Sequence, residues 1–145
     1  MPVIEIQKLV KSYGAIQALK GLNLVIPEGC LFGLLGPNGA GKTTTLRILC
    51  TLLAPDEGTV LISGINALED PRSVRRQIGY VAQEVAIDKI LTGRELLQLQ
   101  ADLYHLESKQ KDQRINELTL RLEMSEWINR RCGTYSGGMR RKLDL

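Results

Sequence analysis

A glycine-rich stretch between an apolar run and a helical segment constrains the fold of this sequence more than any other feature. Residues 36–43 read Gly-Pro-Asn-Gly-Ala-Gly-Lys-Thr and satisfy the pattern G-x-x-x-x-G-K-[ST] in full. The uninterrupted apolar run 30–35 predicts a strand buried on both faces, and residues 43–53 have the composition of a helix. The order strand, glycine loop and helix predicts an α/β fold.

The chemistry of this loop follows from its residue types. Glycines allow several backbone N–H groups to turn inward around a polyphosphate. The helix that follows adds its unpaired N-terminal N–H groups and its dipole. Lys42 can reach the β- and γ-phosphates, and the Thr43 hydroxyl can bind Mg²⁺. The stretch therefore predicts a binding site for a nucleoside triphosphate.

The elements around the loop change character along the chain. In the first half, the pattern predicts strands at 3–10, 22–26, 59–63 and 79–82. It also predicts a short helix that begins with Asp70 as its cap and Pro71 in its first turn and runs to about residue 78. The second half is helical. Its first helix begins with a capping box at Thr92 and Glu95, and its second begins near Ser108. The apolar positions expected to face a core are Leu96, Leu97, Leu99, Leu103, Leu106, Ile115, Leu118 and Leu122.

Length and composition limit the classes of protein to which this chain can belong. The 145 residues suit one domain, which we expect to divide into an α/β lobe at about 1–87 and a helical lobe at about 88–145. No apolar run approaches the roughly 18 residues of a membrane span, and the N-terminus does not have a secretion signal. The three cysteines predict buried reduced thiols. The basic excess lies in residues 130–145 instead of a broad stripe, which argues against nucleic acid as a partner.

A second glycine motif lies near the end of the chain. In Ser136-Gly137-Gly138-Met139-Arg140 the serine is a suitable helix N-cap, and the glycines expose backbone N–H groups. Taken alone, the stretch is typical of a capped helix with a solvated basic face. Because the same chain also contains the phosphate loop, the stretch predicts a second anion site.

With these motifs in this order, the whole chain resembles the ATP-binding subunits of ABC transporters. The stretch from Ser136 is similar to the signature motif of that family. Tyr13 matches the aromatic residue that stacks on adenine, and Gln83 matches the Q-loop glutamine. The sequences of residues 91–95 and 135–141 are most similar to those of subunits of the daunorubicin-resistance type.

The resemblance implies a P-loop NTPase core with a mixed sheet, an α-helical subdomain, and ATP and Mg²⁺ as ligands. It implies catalytic roles for Lys42 and Gln83 and Mg²⁺ contacts from Thr43 and Gln83. The residues expected to contact ATP are Tyr13, Gly36, Asn38, Gly39, Ala40, Gly41, Lys42, Thr43, Thr44, Ser136, Gly137 and Gly138.

The family pattern also implies partners and a location. Two ATP-binding subunits would meet head to tail and attach to a transmembrane permease on the cytoplasmic face of the plasma membrane, powering export of drugs or other amphipathic compounds. One alternative is a relative that acts in translation or DNA maintenance, and another is a truncated module that binds ATP without hydrolysing it. The absence of long arms between Gln83 and Ser136 favours the transporter.

The sequence stops inside the expected signature helix, before the Walker B strand and the switch histidine of the family. His105, the only histidine, lies in the leucine stripe and does not match that position. We therefore expect the chain alone to bind ATP without appreciable turnover. We also expect marginal stability and association through an uncovered sheet edge.

Overall fold

The computed structural model describes residues 2–82 and 87–145 and divides the chain into two compact units. The first unit contains residues 1–80 and the second contains residues 81–145. Each unit has its own hydrophobic core.

The first unit is built on a four-stranded sheet in which every described pairing is antiparallel, so the mixed sheet implied by the resemblance is not seen in the described residues. Its strands are β1 (Pro2–Tyr13), β2 (Ile16–Pro27), β3 (Glu57–Ile62) and β4 (Ile65–Asn66), in the spatial order β2-β1-β3-β4. The strands predicted at 3–10, 22–26 and 59–63 are therefore confirmed, the first two with longer bounds.

Two helices complete the first unit, α1 (Lys42–Leu49) and α2 (Pro71–Arg75). The predicted cap is present at α2, where the Asp70 carboxylate accepts a hydrogen bond from Ser73 N at 3.0 Å. Both helices are shorter than predicted. Helix α1 ends where Thr51 adopts a positive φ of 57°, which an α-helix cannot continue through. The buried core between the sheet and these helices includes Ile6, Leu9, Ile48, Val60 and Val74.

Two predicted strands are wrong. Residues 30–35 and 79–82 are described without strand structure, and Leu31 and Leu35 are almost fully exposed. A strand needs a neighbour for its backbone N–H and C=O groups, and β1 already pairs with β2 and β3. An apolar run indicates residues suited to burial but does not supply the strand that would cover them.

The second unit is helical, as predicted. It contains α3 (Gly93–Leu103), α4 (Ser108–Arg121), a short 3-10 helix (Cys132–Thr134) and α5 (Gly137–Asp144). The capping box is confirmed in both directions, since Glu95 N donates to the Thr92 hydroxyl at 3.2 Å and Thr92 N donates to the Glu95 carboxylate at 2.8 Å.

The leucine stripe is only partly buried. Leu96 and Leu97 pack against a core that includes Met124 and Ile128, whereas Leu99 and other members of the stripe are exposed. Helix α3 ends at Leu103, so His105 and Leu106 lie in the turn that follows and not in the helix. The predicted core face of α4 is confirmed, with buried Ile115 and half-buried Leu118 and Leu122.

The three cysteines are free thiols, but the predicted burial is confirmed at one position only. Cys132 is buried, Cys50 is half-buried and Cys30 is exposed, because Cys30 belongs to the segment that does not form a strand. None of the helices in the two described ranges has the length and apolar character needed to span a bilayer.

Candidate nucleotide-binding site

The phosphate loop is a tight turn directly before α1. Ala40 N donates to Pro37 O at 3.2 Å, and Gly41 has a φ of +82°. A β-carbon on Gly41 would lie 2.7 Å from the carbonyl oxygen of Ala18 in β2. Only glycine meets both conditions, so this position fixes the loop against the sheet.

The Lys42 side chain folds back over the loop. Its Nζ donates to Gly36 O at 2.7 Å and to Pro37 O at 2.6 Å. An ammonium group has three donors. The positive charge therefore lies inside the turn, with one donor left for a phosphate oxygen.

The first turn of α1 presents backbone donors without competition. Its N-cap residue, Gly41, has no side chain that could accept from them, and residues 42–45 include no acidic residue. The Thr45 side chain is buried, and its hydroxyl donates to Gly41 O at 2.9 Å. This bond holds the first turn of α1 to the phosphate loop. Thr43 is exposed and Thr44 is half-buried. This end of the helix suits a polyphosphate with its counter-ion.

A hairpin tip lies beside this loop in the same unit. Tyr13 pairs with Ile16 across the tip, and the two side chains are 46% and 73% exposed. Ala18, whose carbonyl oxygen lies against Gly41, is two positions from Ile16. The tip therefore offers an exposed aromatic and an exposed aliphatic surface near the phosphate loop, as base stacking requires.

The signature-like motif begins α5 in the second unit. Ser136 caps the helix, accepting a hydrogen bond from Met139 N at 3.3 Å, as predicted. Gly137 and Gly138 are exposed, and a β-carbon on either would meet nothing within 4 Å. The start of α5 thus carries open backbone N–H groups.

Tyr135 holds this motif in place. Its hydroxyl donates to Trp127 O at 2.9 Å and accepts from Gly93 N at 3.2 Å. Its ring packs edge-on against Trp127 with 4.9 Å between the centroids. Burial raises the pKa of the Tyr135 hydroxyl. The residue before Ser136 therefore joins the start of α5 to the start of α3.

We predict that Tyr135→Phe will destabilise the second unit by about 1–3 kcal/mol, because the buried N–H of Gly93 then lacks its acceptor. Urea unfolding followed by the fluorescence of Trp127, the only tryptophan, measures the change locally. Tyr104→Phe is the matched control, since Tyr104 is 78% exposed. Equal unfolding midpoints for the two variants would contradict the prediction.

Most of the predicted site residues are described. Tyr13 and residues 36–44 lie in the first unit, Ser136, Gly137 and Gly138 lie in the second, and Gln83 lies outside the described residues. Tyr135, which supports the start of α5, is not among the predicted site residues. Its partner Gly93 lies 42 positions earlier in the chain, so no local pattern would have identified this contact.

Comparison with known proteins assigns this arrangement to a family. The sequence model named "ABC transporter" matches residues 19–145, from within β2 to the end of the chain, and so includes the phosphate loop and the signature-like motif. The chain belongs to the ABC transporter family. Two solved structures share its fold, an ATP-binding subunit of an ABC transporter (TM-score 0.80, 28% identity) and the ATP-binding cassette MJ0796 (TM-score 0.78, 29% identity). The predicted P-loop NTPase fold is confirmed.

The matches cover almost all of this ABC chain but only part of the other proteins. The chain is 43% identical over 142 residues to the daunorubicin resistance ATP-binding protein DrrA2 of Streptomyces coeruleorubidus, covering 98% of this chain and 44% of that protein. The structural matches cover 98% and 97% of this chain, but 59% and 66% of the solved chains. The chain therefore spans less than half the length of this relative, and its resemblance to the daunorubicin-resistance type is confirmed.

Proposed function

We propose that this chain is the nucleotide-binding part of a subunit that powers export from the cell with ATP. The observation that carries the proposal is the position of Lys42 Nζ, within 2.7 Å of two loop carbonyls at the start of a helix without a competing cap. This combination of an ammonium group and free backbone donors suits the phosphates of a nucleotide.

Each part of the site would contact a different part of Mg·ATP. Tyr13 would stack on the adenine, and Thr43 with Gln83 would contact Mg²⁺. Mg²⁺, when bound, supplies positive charge against the β- and γ-phosphates. The phosphates themselves would lie against the loop residues Gly36, Asn38, Gly39, Ala40, Gly41, Lys42, Thr43 and Thr44.

The start of α5 would act on a second copy of the subunit. Ser136, Gly137 and Gly138 present a side-chain oxygen and open backbone N–H groups, which suit the γ-phosphate bound by a partner in a head-to-tail dimer. The structure of MJ0796, which is dimeric and bound to ADP and phosphate after hydrolysis, supports dimerisation by analogy. Catalysis in such a pair consists mainly of positioning and charge stabilisation.

Similarity to the daunorubicin resistance ATP-binding protein of Streptomyces coeruleorubidus supports the proposal that the subunit powers export of drugs or other amphipathic compounds. A transmembrane permease would be the partner, and the subunit would sit on the cytoplasmic face of the membrane. The similarity to a resistance protein favours transport over roles in translation or DNA maintenance.

A chimera tests the proposal. The segment of the Streptomyces coeruleorubidus protein that aligns with this chain is replaced by this chain, and the product is expressed in drug-sensitive cells that already contain the permease of that protein. We expect the cells to remain resistant to daunorubicin. Immunoblotting and Mg·ATP binding by the purified chimera serve as controls. A chimera that is expressed and binds ATP but confers no resistance would contradict the export proposal, and one that does not bind ATP would contradict the nucleotide site.

A further inference from the structure

The end of β1 extends past the strand that pairs with it. The antiparallel pairing of β1 with β3 ends at Val10 and Glu57, whereas β1 continues to Tyr13. One further backbone bond joins β1 to the residue before β3, from Asp56 N to Val10 O at 2.9 Å. The last three residues of β1 are therefore held on this side by something other than a strand.

Beyond Val10, the Asp56 side chain supplies the hydrogen-bond acceptors for β1. One carboxylate oxygen accepts a hydrogen bond from Ser12 N at 2.6 Å, and the other accepts from Lys11 Nζ at 2.7 Å. The Lys11 side chain is only 15% exposed, so its charge lies against this carboxylate instead of free in water. The bond from Lys11, followed by that from Ser12, holds the pKa of the Asp56 carboxyl below its ordinary value.

The pairing between β1 and β2 is irregular toward this end of the hairpin. Its register shifts between Ile6 and Leu9, again between Leu9 and Val10, and once more between Lys11 and Ser12. Such irregularities disrupt the ladder of hydrogen bonds and change the local bend and twist of a strand. Regular pairing with β2 alone therefore does not fix where the tip lies.

We propose that Asp56 is a positioning residue for the nucleotide base. By holding Lys11 and Ser12, it fixes the adjacent Tyr13 at the distance from the phosphate loop that lets one ligand reach both. The inference rests on the proposed function, in which Tyr13 stacks on adenine and the loop binds the phosphates. Asp56 itself need not touch the ligand.

This role differs from a general contribution to stability in a measurable way. If the residue only stabilised the fold, its substitution would lower the affinity of the first unit for every ligand equally. If it positions the base, its substitution lowers the affinity for ATP and leaves the affinity for a ligand without a base unchanged. Inorganic tripolyphosphate is such a ligand, since it keeps the phosphate chain and lacks adenosine.

The experiment compares Mg·ATP and Mg·tripolyphosphate binding to the 145-residue chain by calorimetry. For Asp56→Ala we expect the affinity for Mg·ATP to fall about fivefold or more, since base stacking is worth at least that factor. The affinity for Mg·tripolyphosphate should not fall. Glu57→Ala is the matched control, because it removes a neighbouring exposed carboxylate and corrects for the change in net charge.

Two further variants keep the test decisive. Asp56→Asn retains an acceptor for Ser12 N in a side chain of the same shape, so it should fold and should show the same selective loss at a smaller size. Tyr13→Ala removes the ring itself, and adding Asp56→Ala to it should cause no further loss of ATP affinity.

The outcomes separate the inference from the proposed function. Equal losses for both ligands, or no loss of ATP affinity in Asp56→Ala and Asp56→Asn, would overturn the inference and leave the nucleotide site intact. Unchanged ATP affinity in Tyr13→Ala would overturn it as well. If the unaltered chain bound neither ligand, this result would contradict both the proposed function and the inference.

Discussion

Lys42→Ala is expected to weaken Mg·ATP binding by about 10- to 100-fold, the largest effect on binding of any single substitution in the phosphate loop. Hydrogen bonds to charged groups contribute about 1.5–3 kcal/mol, and each 1.4 kcal/mol is a factor of ten in affinity. The Lys42 ammonium lies 2.6–2.7 Å from two carbonyls that line the turn. Its removal takes away a positive charge that no described neighbour in the loop could replace.

Calorimetric titration of the 145-residue chain with Mg·ATP measures this effect. Lys109→Ala in α4 is the control, since it removes an exposed lysine from the second unit and the same charge from the chain. The urea midpoint should stay close to that of the unaltered chain, because the two carbonyls freed in the exposed loop can bind water instead. An affinity within twofold of the Lys109→Ala value would contradict the role assigned to Lys42.

The starts of the helices could be predicted from the sequence because their signals are local. Asp70, Thr92 and Ser136 were each identified as cap residues, and each accepts a hydrogen bond from a backbone N–H three residues later. Such a bond forms within one turn and depends little on the rest of the fold. The phosphate loop is equally local, since its glycines, lysine and helix are contiguous.

Strand prediction failed for the segments that have no described strand to pair with. The run 30–35 is as apolar as a buried strand should be, yet Leu35 is 92% exposed and no described strand pairs with this segment. By contrast, β1 and β2 are adjacent in the chain and joined by a tight turn, so each supplies the other's partner. Apolar composition predicts that burial is favourable, but pairing decides whether it occurs.

The supporting contacts of the candidate site lay beyond prediction for the same reason. Asp56 and Ser12 are 44 residues apart, and Tyr135 and Gly93 are 42 apart. A window of helical or strand length contains neither pair. These contacts support the segments that carry Tyr13 and Ser136, so local sequence patterns predict the groups proposed to contact a ligand but not the residues that support them.

Gly58→Ala is expected to cause the largest loss of stability, about 2–5 kcal/mol, because it combines two unfavourable effects. Gly58 has a φ of +95°, in the region that L-residues avoid. A β-carbon there would also lie 2.6 Å from the carbonyl oxygens of Gln7 and Lys8 and 2.7 Å from the α-carbon of Leu9. These are backbone atoms of the irregular part of β1, so relief requires β3 to move away from β1.

Gly21→Ala separates the two effects. Gly21 has a similar φ of +88°, but a β-carbon there would meet nothing within 4 Å, so it carries only the conformational cost of about 1–2 kcal/mol. Urea unfolding followed by circular dichroism should therefore give a lower midpoint for Gly58→Ala than for Gly21→Ala. Equal midpoints would mean that β3 can shift without cost. The close approach of Gly58 to the backbone of β1 would then make no added demand for glycine at this position.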